Sequence, residues 1–278
     1  MKQPIVALMY DFDKTLCTKD MQEYAFIPEL GITSSQFWSE VNNLTHREHM
    51  DNILAYMYLM VEKCKEKKVR ITKETLKTLG QNIEYFDGVE SWFKRISDYG
   101  RSIGVRVEHY IVSSGIKEII EGTNMAKEQS FKKIYACEFM YDYNGIITRP
   151  KFAVNYTAKT QFLFRINKGV LDIDSKSADK LNAFTKEKDR RVPFQNMIYV
   201  GDGLTDVPCM KLVKSNGGQS IAVYDQAKNN EAAKQLLLDN RVNFVVPADY
   251  SDGSDIEMIV KAIMKKIQAV AEMQSYIE

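Results

Sequence analysis

The stretch IVALMYDFDKTLC, residues 5–17, decides the fold of this chain. Its first six residues, Ile5–Tyr10, are apolar or aromatic, which is typical of a strand buried on both faces of a parallel sheet. Asp11 and Asp13 follow directly, with Thr15 just beyond them. Because ligands bind outside the carboxyl ends of parallel strands, a buried strand that runs into two acids favours a functional strand end over a solvated turn.

The composition is that of an ordinary globular protein without a charge bias. Of its 278 residues, 45% are hydrophobic and 27% charged, which suits one large domain or a core domain with a smaller insert. The 38 basic and 37 acidic side chains nearly cancel, so no net field favours nucleic acid or an anionic membrane. The most apolar helical stretch, Ile53–Val61, has nine residues, whereas a membrane span needs about 20. We therefore expect neither nucleic acid nor a membrane as a partner.

The cysteines indicate a reducing compartment. They are scattered along the chain without a CxxC pair, which favours free thiols over a disulfide framework or a zinc site; they are Cys17, Cys64, Cys137 and Cys209. The apolar run near the N-terminus is too short for a signal-peptide core and ends in acids. We expect a cytoplasmic protein, either a monomer or a weak homodimer.

Short β-branched runs recur along the chain and alternate with helix-like segments. Most of them are followed by a turn rich in Gly, Ser or Asp and then by a helical pattern. Strands that alternate with helices indicate parallel βαβ units, so we predict an α/β fold with a doubly wound parallel sheet. The predicted strands are Ile5–Tyr10, Val105–Ser113, Asn196–Val200, Ser220–Tyr224 and Val242–Val246.

The segment between Leu16 and Asp87 has a helical pattern and no convincing strand. One helix can be capped by Thr33 or Ser34, a long one is predicted over His46–Lys67, and another can be capped by Thr72. The apolar positions of the long helix cannot all face solvent, so the segment is expected to pack into a small bundle. An all-helical insert after the first strand of an α/β sheet is interpreted as a cap domain.

These patterns predict two domains. The α/β core domain comprises residues 1–15 and 89–278, and the helical cap domain comprises residues 16–88. Within the core, residues 136–149 contain two alternating runs around Asn144-Gly145, and Asn-Gly is a strong signal for a β-hairpin.

A second pair of acids follows another predicted strand. In YVGDGLTDVP, residues 199–208, Asp202 and Asp206 lie in a Gly-rich turn that opens a helix, where they could merely cap the helix. However, carboxylates on neighbouring strand ends would repel one another strongly, unless a divalent cation lies among them. Oxygen ligands, few in number and with room for water, favour Mg²⁺.

Two further segments supply candidates for binding an anion. In YIVSSGIKEII, residues 110–120, the hydroxyl of Ser113 and the amides of Ser114 and Gly115 are expected to open a helix and form an anion cradle, although an isolated SSG is more often a turn with an N-cap. Lys159 lies near the start of an amphipathic helix, where a cation opposes the helix dipole and needs an anionic partner. Its rivals are Lys151 and Lys168.

The order of these motifs resembles the haloacid dehalogenase-like (HAD) superfamily of phosphohydrolases. DFDKT comes first, then a serine after a hydrophobic strand, then a lysine, then GDGLTD. The helical insert between the first two motifs and the Asn-Gly hairpin resemble the phosphoserine phosphatase-like branch. The resemblance implies a Rossmann-like core with a cap, and an Mg²⁺-dependent phosphatase that acts on a small phosphorylated metabolite.

The resemblance also implies a role for each matched residue. Asp11 would be the nucleophile that becomes an aspartyl phosphate, and Asp13 the general acid/base. Ser113 would bind phosphate oxygen, Lys159 would neutralise its charge, and Thr15 would position the loop at the substrate.

The metal and the substrate have their own implied residues. Mg²⁺ would be held by Asp11, Asp202 and the backbone carbonyl of Asp13, with Asp206 completing or orienting the shell. Asp20 lies where phosphoserine phosphatases carry a substrate-reading glutamate, and Glu23, Trp38, Tyr24 and Phe26 lie near it; Arg47 is the candidate for binding a substrate carboxylate.

Three alternatives remain open from the sequence. A phosphomutase or phosphotransferase would use the same aspartyl phosphate but shield it from water. A phospho-accepting signalling module also gathers acids at strand ends, although it does not require an acid at the position of Asp13 or a cap. A catalytically silent binding protein on this fold would have no need for the repulsion among these acids.

Overall fold

One seven-stranded sheet forms the centre of the protein, whose computed structural model describes residues 3–24 and 26–276. The strands are β1 (Ile5–Tyr10), β2 (Arg106–Ile116), β3 (Lys133–Tyr141), β4 (Ile147–Phe152), β5 (Met197–Gly201), β6 (Gln219–Tyr224) and β7 (Phe244–Pro247). They lie side by side in the order β4-β3-β2-β1-β5-β6-β7, and every pair is parallel except β3 and β4. The chain builds outward on both sides of β1, so the carboxyl end of β1 lies at the topological switch point where such sheets bind ligands.

The core helices cover both faces of this sheet, which confirms the predicted doubly wound fold class. Helix α5 packs with α12 and α8 packs with α10, giving two helical layers. The helices that follow the cap are α5 (Val89–Ser102), α6 (Lys117–Glu121), α7 (Asn124–Lys127), α8 (Ala158–Lys168), α9 (Ser175–Asn182), α10 (Val207–Ser215), α11 (Glu231–Leu238) and α12 (Asp255–Ser275).

One sequence prediction about strands needs correction, and another is confirmed. The second strand was expected to end at Ser113 and open a helix there, but β2 continues to Ile116 and the next helix begins at Lys117. The predicted hairpin exists, with β3 and β4 antiparallel, but β3 also pairs in parallel with β2 and so belongs to the main sheet. The Asn-Gly turn signalled only the local hairpin, because the pairing of β3 with β2 depends on residues distant in sequence.

The insert after β1 is helical, as predicted; its first three helices pack on one another, whereas its fourth packs against α6 of the core. Its helices are α1 (Phe26–Glu29), α2 (Ser34–Glu48), α3 (Asn52–Lys67) and α4 (Lys73–Leu79). Thr33 caps α2 in a reciprocal capping box with Gln36, and Thr72 caps α4 through the amide of Thr75.

The long helix predicted over residues 46–67 is wrong. Helix α2 ends at Glu48, His49 adopts the left-handed conformation at φ 52°, and α3 begins after Asp51. The side chain of Asp51 accepts a hydrogen bond from the amide of Leu54 at 3.0 Å, so it caps a new helix rather than continuing the first.

The chain enters and leaves the helical insert through two adjacent linkers. The amide of Phe86 donates to the carbonyl of Leu16 at 3.1 Å, and the amide of Thr18 donates to the carbonyl of Glu84 at 3.1 Å. The two linkers therefore lie side by side and run antiparallel. The boundaries of the core (1–15 and 89–278) and the cap (16–88) stay a prediction.

The remaining global expectations concern cysteines and the membrane. All four cysteines are buried and free of disulfide bonds. Among the residues that the structure describes, no helix combines the length and the apolar character needed to cross a bilayer.

A buried histidine lies between β2 and α5. His109 is 3% exposed, with Nδ1 hydrogen-bonded to the Tyr10 hydroxyl at 3.1 Å and Nε2 facing the Phe93 carbonyl at 3.2 Å. Burial lowers the pKa of His109 to about 4. The folded state therefore contains a neutral imidazole at every pH above that value.

This burial makes the stability of the protein dependent on pH. The unfolded chain takes up a proton at His109 near its ordinary pKa of about 6.5, whereas the folded state resists it down to about 4, so the free energy of unfolding falls as pH drops through this window. Between pH 7 and pH 5, the free energy of unfolding measured in urea titrations should fall by about 2 kcal/mol more in the wild type than in His109→Gln. His46→Gln, at an exposed position, is the control and should keep the wild-type loss. Equal losses in all three proteins would contradict the prediction.

Candidate active site

Asp11 is held at the switch point by the backbone of the sheet. It is the first residue after β1, and its amide donates to the carbonyl of Val200 in β5 at 2.9 Å. Its Oδ1 accepts a hydrogen bond from the amide of Phe12 at 2.7 Å, and the residue is 5% exposed. Burial, followed by the charge of Asp206, raises the pKa of Asp11 to about 6. The sheet therefore presents one carboxylate in a fixed position.

Lys159 is a fully buried cation between two carboxylates. Its Nζ lies 3.0 Å from Oδ2 of Asp11 and 2.8 Å from Oδ1 of Asp206, and none of its side chain is exposed. Burial alone would lower the pKa of Lys159, but the two carboxylates outweigh this effect and raise it. The rival lysines have other partners: Lys151 pairs with Glu138, and Lys168 donates to backbone carbonyls.

Asp206 is fixed by two side chains. Its Oδ1 accepts hydrogen bonds from Lys159 and from the hydroxyl of Tyr199 at 2.7 Å, and the residue has no exposed surface. Gly201 makes room for it, because a Cβ at that position would lie 2.4 Å from Oδ2 of Asp206.

Asp202 stands at the more open side of the same turn. Its Oδ1 lies 3.5 Å from the hydroxyl of Thr15, which places the turn after β1 against the turn after β5. Burial, then the charges of Asp206 and Asp11, raise the pKa of Asp202 to about 8. The acids of the cluster therefore repel one another.

Asp13 faces away from this cluster and toward the cap. Its Oδ1 accepts a hydrogen bond from the amide of Met21 at 2.8 Å and contacts the thiol of Cys17 at 3.6 Å. Burial, then the charges of Asp20 and Asp11, raise the pKa of Asp13 well above its ordinary value. Asp11 and Asp13 thus occupy different environments although only one residue separates them.

The Ser113–Gly115 segment lies beside Asp13 but not at a helix N-terminus. Ser113 is fully buried, and its Oγ accepts a hydrogen bond from the amide of Gly115 at 2.9 Å. The Oγ of Ser114 is buried and has no hydrogen-bond partner among the residues that the structure describes. The prediction that these residues begin a helix and form an anion cradle there is therefore wrong, since all three belong to β2.

The helical insert covers this segment directly. The Sδ of Met21 accepts a hydrogen bond from the amide of Ile116 at 3.1 Å. A Cβ on Gly115 would lie 2.1 Å from Cε of Met21 and 2.9 Å from Oδ2 of Asp13, so only glycine allows this approach. From α3, the hydroxyl of Tyr56 donates to the carbonyl of Ser114 at 2.5 Å.

The polar side chains predicted to read the substrate already have partners within the protein. Asp20 pairs with Nζ of Lys14 at 2.6 Å. Glu23 accepts a hydrogen bond from Nε1 of Trp38 at 2.8 Å.

The other side chains predicted to contact the substrate do not form a common binding site. Arg47 pairs with Glu48 on the surface, with 72% of its side chain exposed. Phe26 is buried against Phe37 in the cap bundle, and Tyr24 hydrogen-bonds with Thr18.

Two tyrosines support the site and were missed from the sequence. Tyr199 binds Asp206 from within β5, and the hydroxyl of Tyr250 donates to the carbonyl of Thr15 at 2.8 Å. Tyr199 could have been found, because it lies two residues before Gly201 and alternation places both on one face of the strand. Tyr250 gave no signal, since it lies in a loop far along the chain.

A comparison with protein families identifies the chain. The model of a family described as haloacid dehalogenase-like hydrolase matches residues 8–211. The chain belongs to this family. The predicted resemblance is therefore confirmed, and with it the expectation that this HAD protein is a hydrolase.

The chain is also similar to other proteins over most of its length. An uncharacterized protein of Borreliella burgdorferi is 30% identical over 293 residues, which cover 96% of this HAD chain and 98% of the relative. A substrate-bound phosphoserine phosphatase shares the fold with a TM-score of 0.56 at 16% identity, covering 94% of this chain and 99% of that one. A cytosolic 5'-nucleotidase IIIB bound to cytidine has a TM-score of 0.54 at 14% identity, covering 97% of this chain and 88% of that one.

The acids of this HAD site fit a divalent cation. Asp11, Asp202 and Asp206 each offer a carboxylate oxygen, and these oxygens lie within 4.8 Å of one another. All the donors are hard oxygens, which suit Mg²⁺. Burial, followed by repulsion among the acids, raises the pKa values of Asp11 and Asp202, and a divalent cation would offset both effects. The carbonyl of Asp13 as a further ligand stays a prediction.

Mg²⁺ should therefore stabilise the metal-free protein. At a free Mg²⁺ concentration about 100 times the dissociation constant, the gain in unfolding free energy should be about 2.7 kcal/mol, seen as a higher melting temperature. Asp202→Asn removes one ligand and should abolish most of this rise. Asp189→Asn, at an exposed position, is the matched control and should keep it. A full rise in Asp202→Asn would contradict the assignment.

Proposed function

We propose that this protein is an Mg²⁺-dependent phosphatase that hydrolyses a small phosphorylated metabolite through an aspartyl phosphate on Asp11. The observation that carries the proposal is the buried contact of Lys159 with Asp11 at 3.0 Å, beside the further carboxylates of Asp202 and Asp206. This arrangement gathers a nucleophile and charge-neutralising groups at one point. Phosphoryl transfer requires little else than positioning and charge neutralisation.

The reaction divides into two transfers at phosphorus. In the first, a carboxylate oxygen of Asp11 bonds to phosphorus while the ester P–O bond breaks, and Asp13 gives its proton to the leaving alkoxide. In the second, Asp13 takes a proton from water, the water oxygen attacks phosphorus, and the bond to Asp11 breaks to release phosphate. The separate environments of the two acids support this division, because Asp13 is bound by the amide of Met21 and lies outside the three-acid cluster.

The remaining polar groups bind the phosphoryl oxygens. The hydroxyl of Ser113 and the ammonium of Lys159 are donors near the site, and both residues are fully buried. Hydrogen bonds and charges in such a dry site act more strongly than in water. Mg²⁺ bound by Asp11, Asp202 and Asp206 would supply further neutralisation of the phosphoryl charge.

The substrate in this proposal is small, because the cap packs directly on the phosphate site through Met21 and Tyr56. Phosphoserine itself gains no support, since Arg47 is exposed and Asp20 is neutralised by Lys14. Asp20 as a substrate-binding residue stays a prediction. The four free, buried cysteines support a cytoplasmic location, and we propose a monomer or weak homodimer there.

Activity on a generic aryl phosphate tests the proposed chemistry. With Mg²⁺ present, the wild type should release phosphate, whereas Asp11→Asn, which lacks the nucleophile, should lose at least about 10³-fold in rate, in line with the loss of other covalent nucleophiles. After acid quenching, mapping of radiolabelled phosphate should locate the label on Asp11 in the wild type and not in the variant. Melting curves of both proteins control for folding.

Two outcomes separate this function from its alternatives. Labelling of Asp11 with transfer to an added alcohol, and without free phosphate, would identify a phosphomutase or phosphotransferase. Full activity in Asp11→Asn would refute the nucleophile assignment.

A further inference from the structure

The peptide unit between Ser114 and Gly115 is held at both ends by side chains. Its carbonyl oxygen accepts hydrogen bonds from the Tyr56 hydroxyl at 2.5 Å and from the Cys137 thiol at 3.3 Å. Its amide donates to Oγ of Ser113 at 2.9 Å. In a planar trans peptide the C=O and N–H groups point in opposite directions. Hydrogen bonds that fix the direction of the Ser114 carbonyl therefore also fix the amide of Gly115 toward Ser113.

These side chains replace backbone pairing that the sheet does not supply here. The ladder between β2 and β3 pairs Val112 with Tyr135 and then Ile116 with Cys137. Between these pairs, β2 places three residues, Ser113–Gly115, opposite a single residue of β3. Such a bulge leaves its extra residues without regular partners, so another group must fix the orientation of the peptide.

The hydrogen bonds around the Ser114–Gly115 peptide determine which hydrogen bond the Ser113 hydroxyl can donate. Because its oxygen accepts a hydrogen bond from Gly115, the hydroxyl proton is left to be donated elsewhere. A serine that binds a phosphoryl oxygen must act as a donor. The orientation of one peptide therefore prepares Ser113 for that role.

Tyr56, which makes the shorter of the two hydrogen bonds to the Ser114 carbonyl, comes from the cap. Tyr56 lies on α3 and is 3% exposed, and its ring packs edge-on to Trp38 at a centroid distance of 6.1 Å. The start of α3 is also attached to the core, since Asp51 accepts a hydrogen bond from Nδ2 of Asn155 at 2.8 Å. Tyr56 can thus reach Ser114 only while the cap packs on the core.

We propose that Tyr56 is a positioning residue that couples cap closure to the phosphate-binding hydroxyl of Ser113 through the Ser114–Gly115 peptide. The inference rests on the proposed phosphatase function. It adds a route by which the cap, without touching phosphate, controls how well phosphate binds.

A double-mutant cycle with Ser113 tests this route. Tyr56→Phe keeps the ring but removes the hydroxyl, and it should lower kcat/KM by about tenfold, the effect of one hydrogen bond. In a Ser113→Ala background the same change should alter kcat/KM less than about twofold, because the group through which Tyr56 acts is gone. Tyr58→Phe, on the same helix and 43% exposed, is the matched control and should keep the wild-type rate.

Binding of inorganic phosphate gives a second readout that does not depend on turnover. In calorimetric titrations, Tyr56→Phe should bind phosphate about tenfold more weakly than the wild type, and again only when Ser113 is present. Equal binding by the wild type and Tyr56→Phe, or additive losses with Ser113→Ala, would overturn the inference. A wild type that binds phosphate but does not hydrolyse esters would instead refute the proposed function, and the cycle in phosphate binding would still decide the role of Tyr56.

Discussion

The contact of Lys159 with Asp11 and Asp206 is the constraint on which the rest of the site depends. A fully buried ammonium is tolerated only with carboxylate partners, and buried carboxylates are tolerated only with compensating positive charge. The three residues come from the end of β1, the turn after β5 and the start of α8, so one ionic contact joins three segments distant in sequence. With Asp202 included, the cluster has three carboxylates for one lysine, which is an excess of negative charge. This excess explains why a site that stabilises a buried lysine also suits a divalent cation.

The parallel sheet supplies the rigidity that this contact needs. Strand β1 lies between β2 and β5, and the amide of Asp11 extends the β1–β5 ladder by one bond to Val200. The carboxylate therefore moves only if the centre of the sheet moves. On the neighbouring strand, Tyr199 fixes Asp206 from beneath, and the absence of a side chain at Gly201 lets that carboxylate approach the strand. Beyond Lys159, each acid is therefore held by its own strand: Asp11 through its backbone amide and Asp206 through Tyr199.

The sequence is most informative where a local pattern has a local physical cause. The apolar run of β1, the two acid motifs and the caps Thr33 and Thr72 each depend on a few adjacent residues, and the structure has them as predicted. The break between α2 and α3 also had a local signal, because aspartate at position 51 is a strong N-cap, but the apolar stripe of α3 masked it. The extension of β2 through Ser113–Gly115 had none, since its irregular pairing is set by β3. Contacts such as that of Tyr250 with Thr15, 235 residues apart, exist only in the folded chain.

Several hydrogen bonds between the helical insert and the core have a backbone group as one partner. Tyr56 donates to the carbonyl of Ser114, the amide of Met21 donates to Asp13, and Met21 accepts from the amide of Ile116. Because backbone groups are present whatever the side chains are, these bonds fix the position of the cap without using residues that read a substrate. The ion pair of Asp20 with Lys14 and the bond of Trp38 with Glu23 likewise satisfy polar groups inside the protein. Side chains of the insert that make none of these bonds can therefore change while the insert keeps its place on the core.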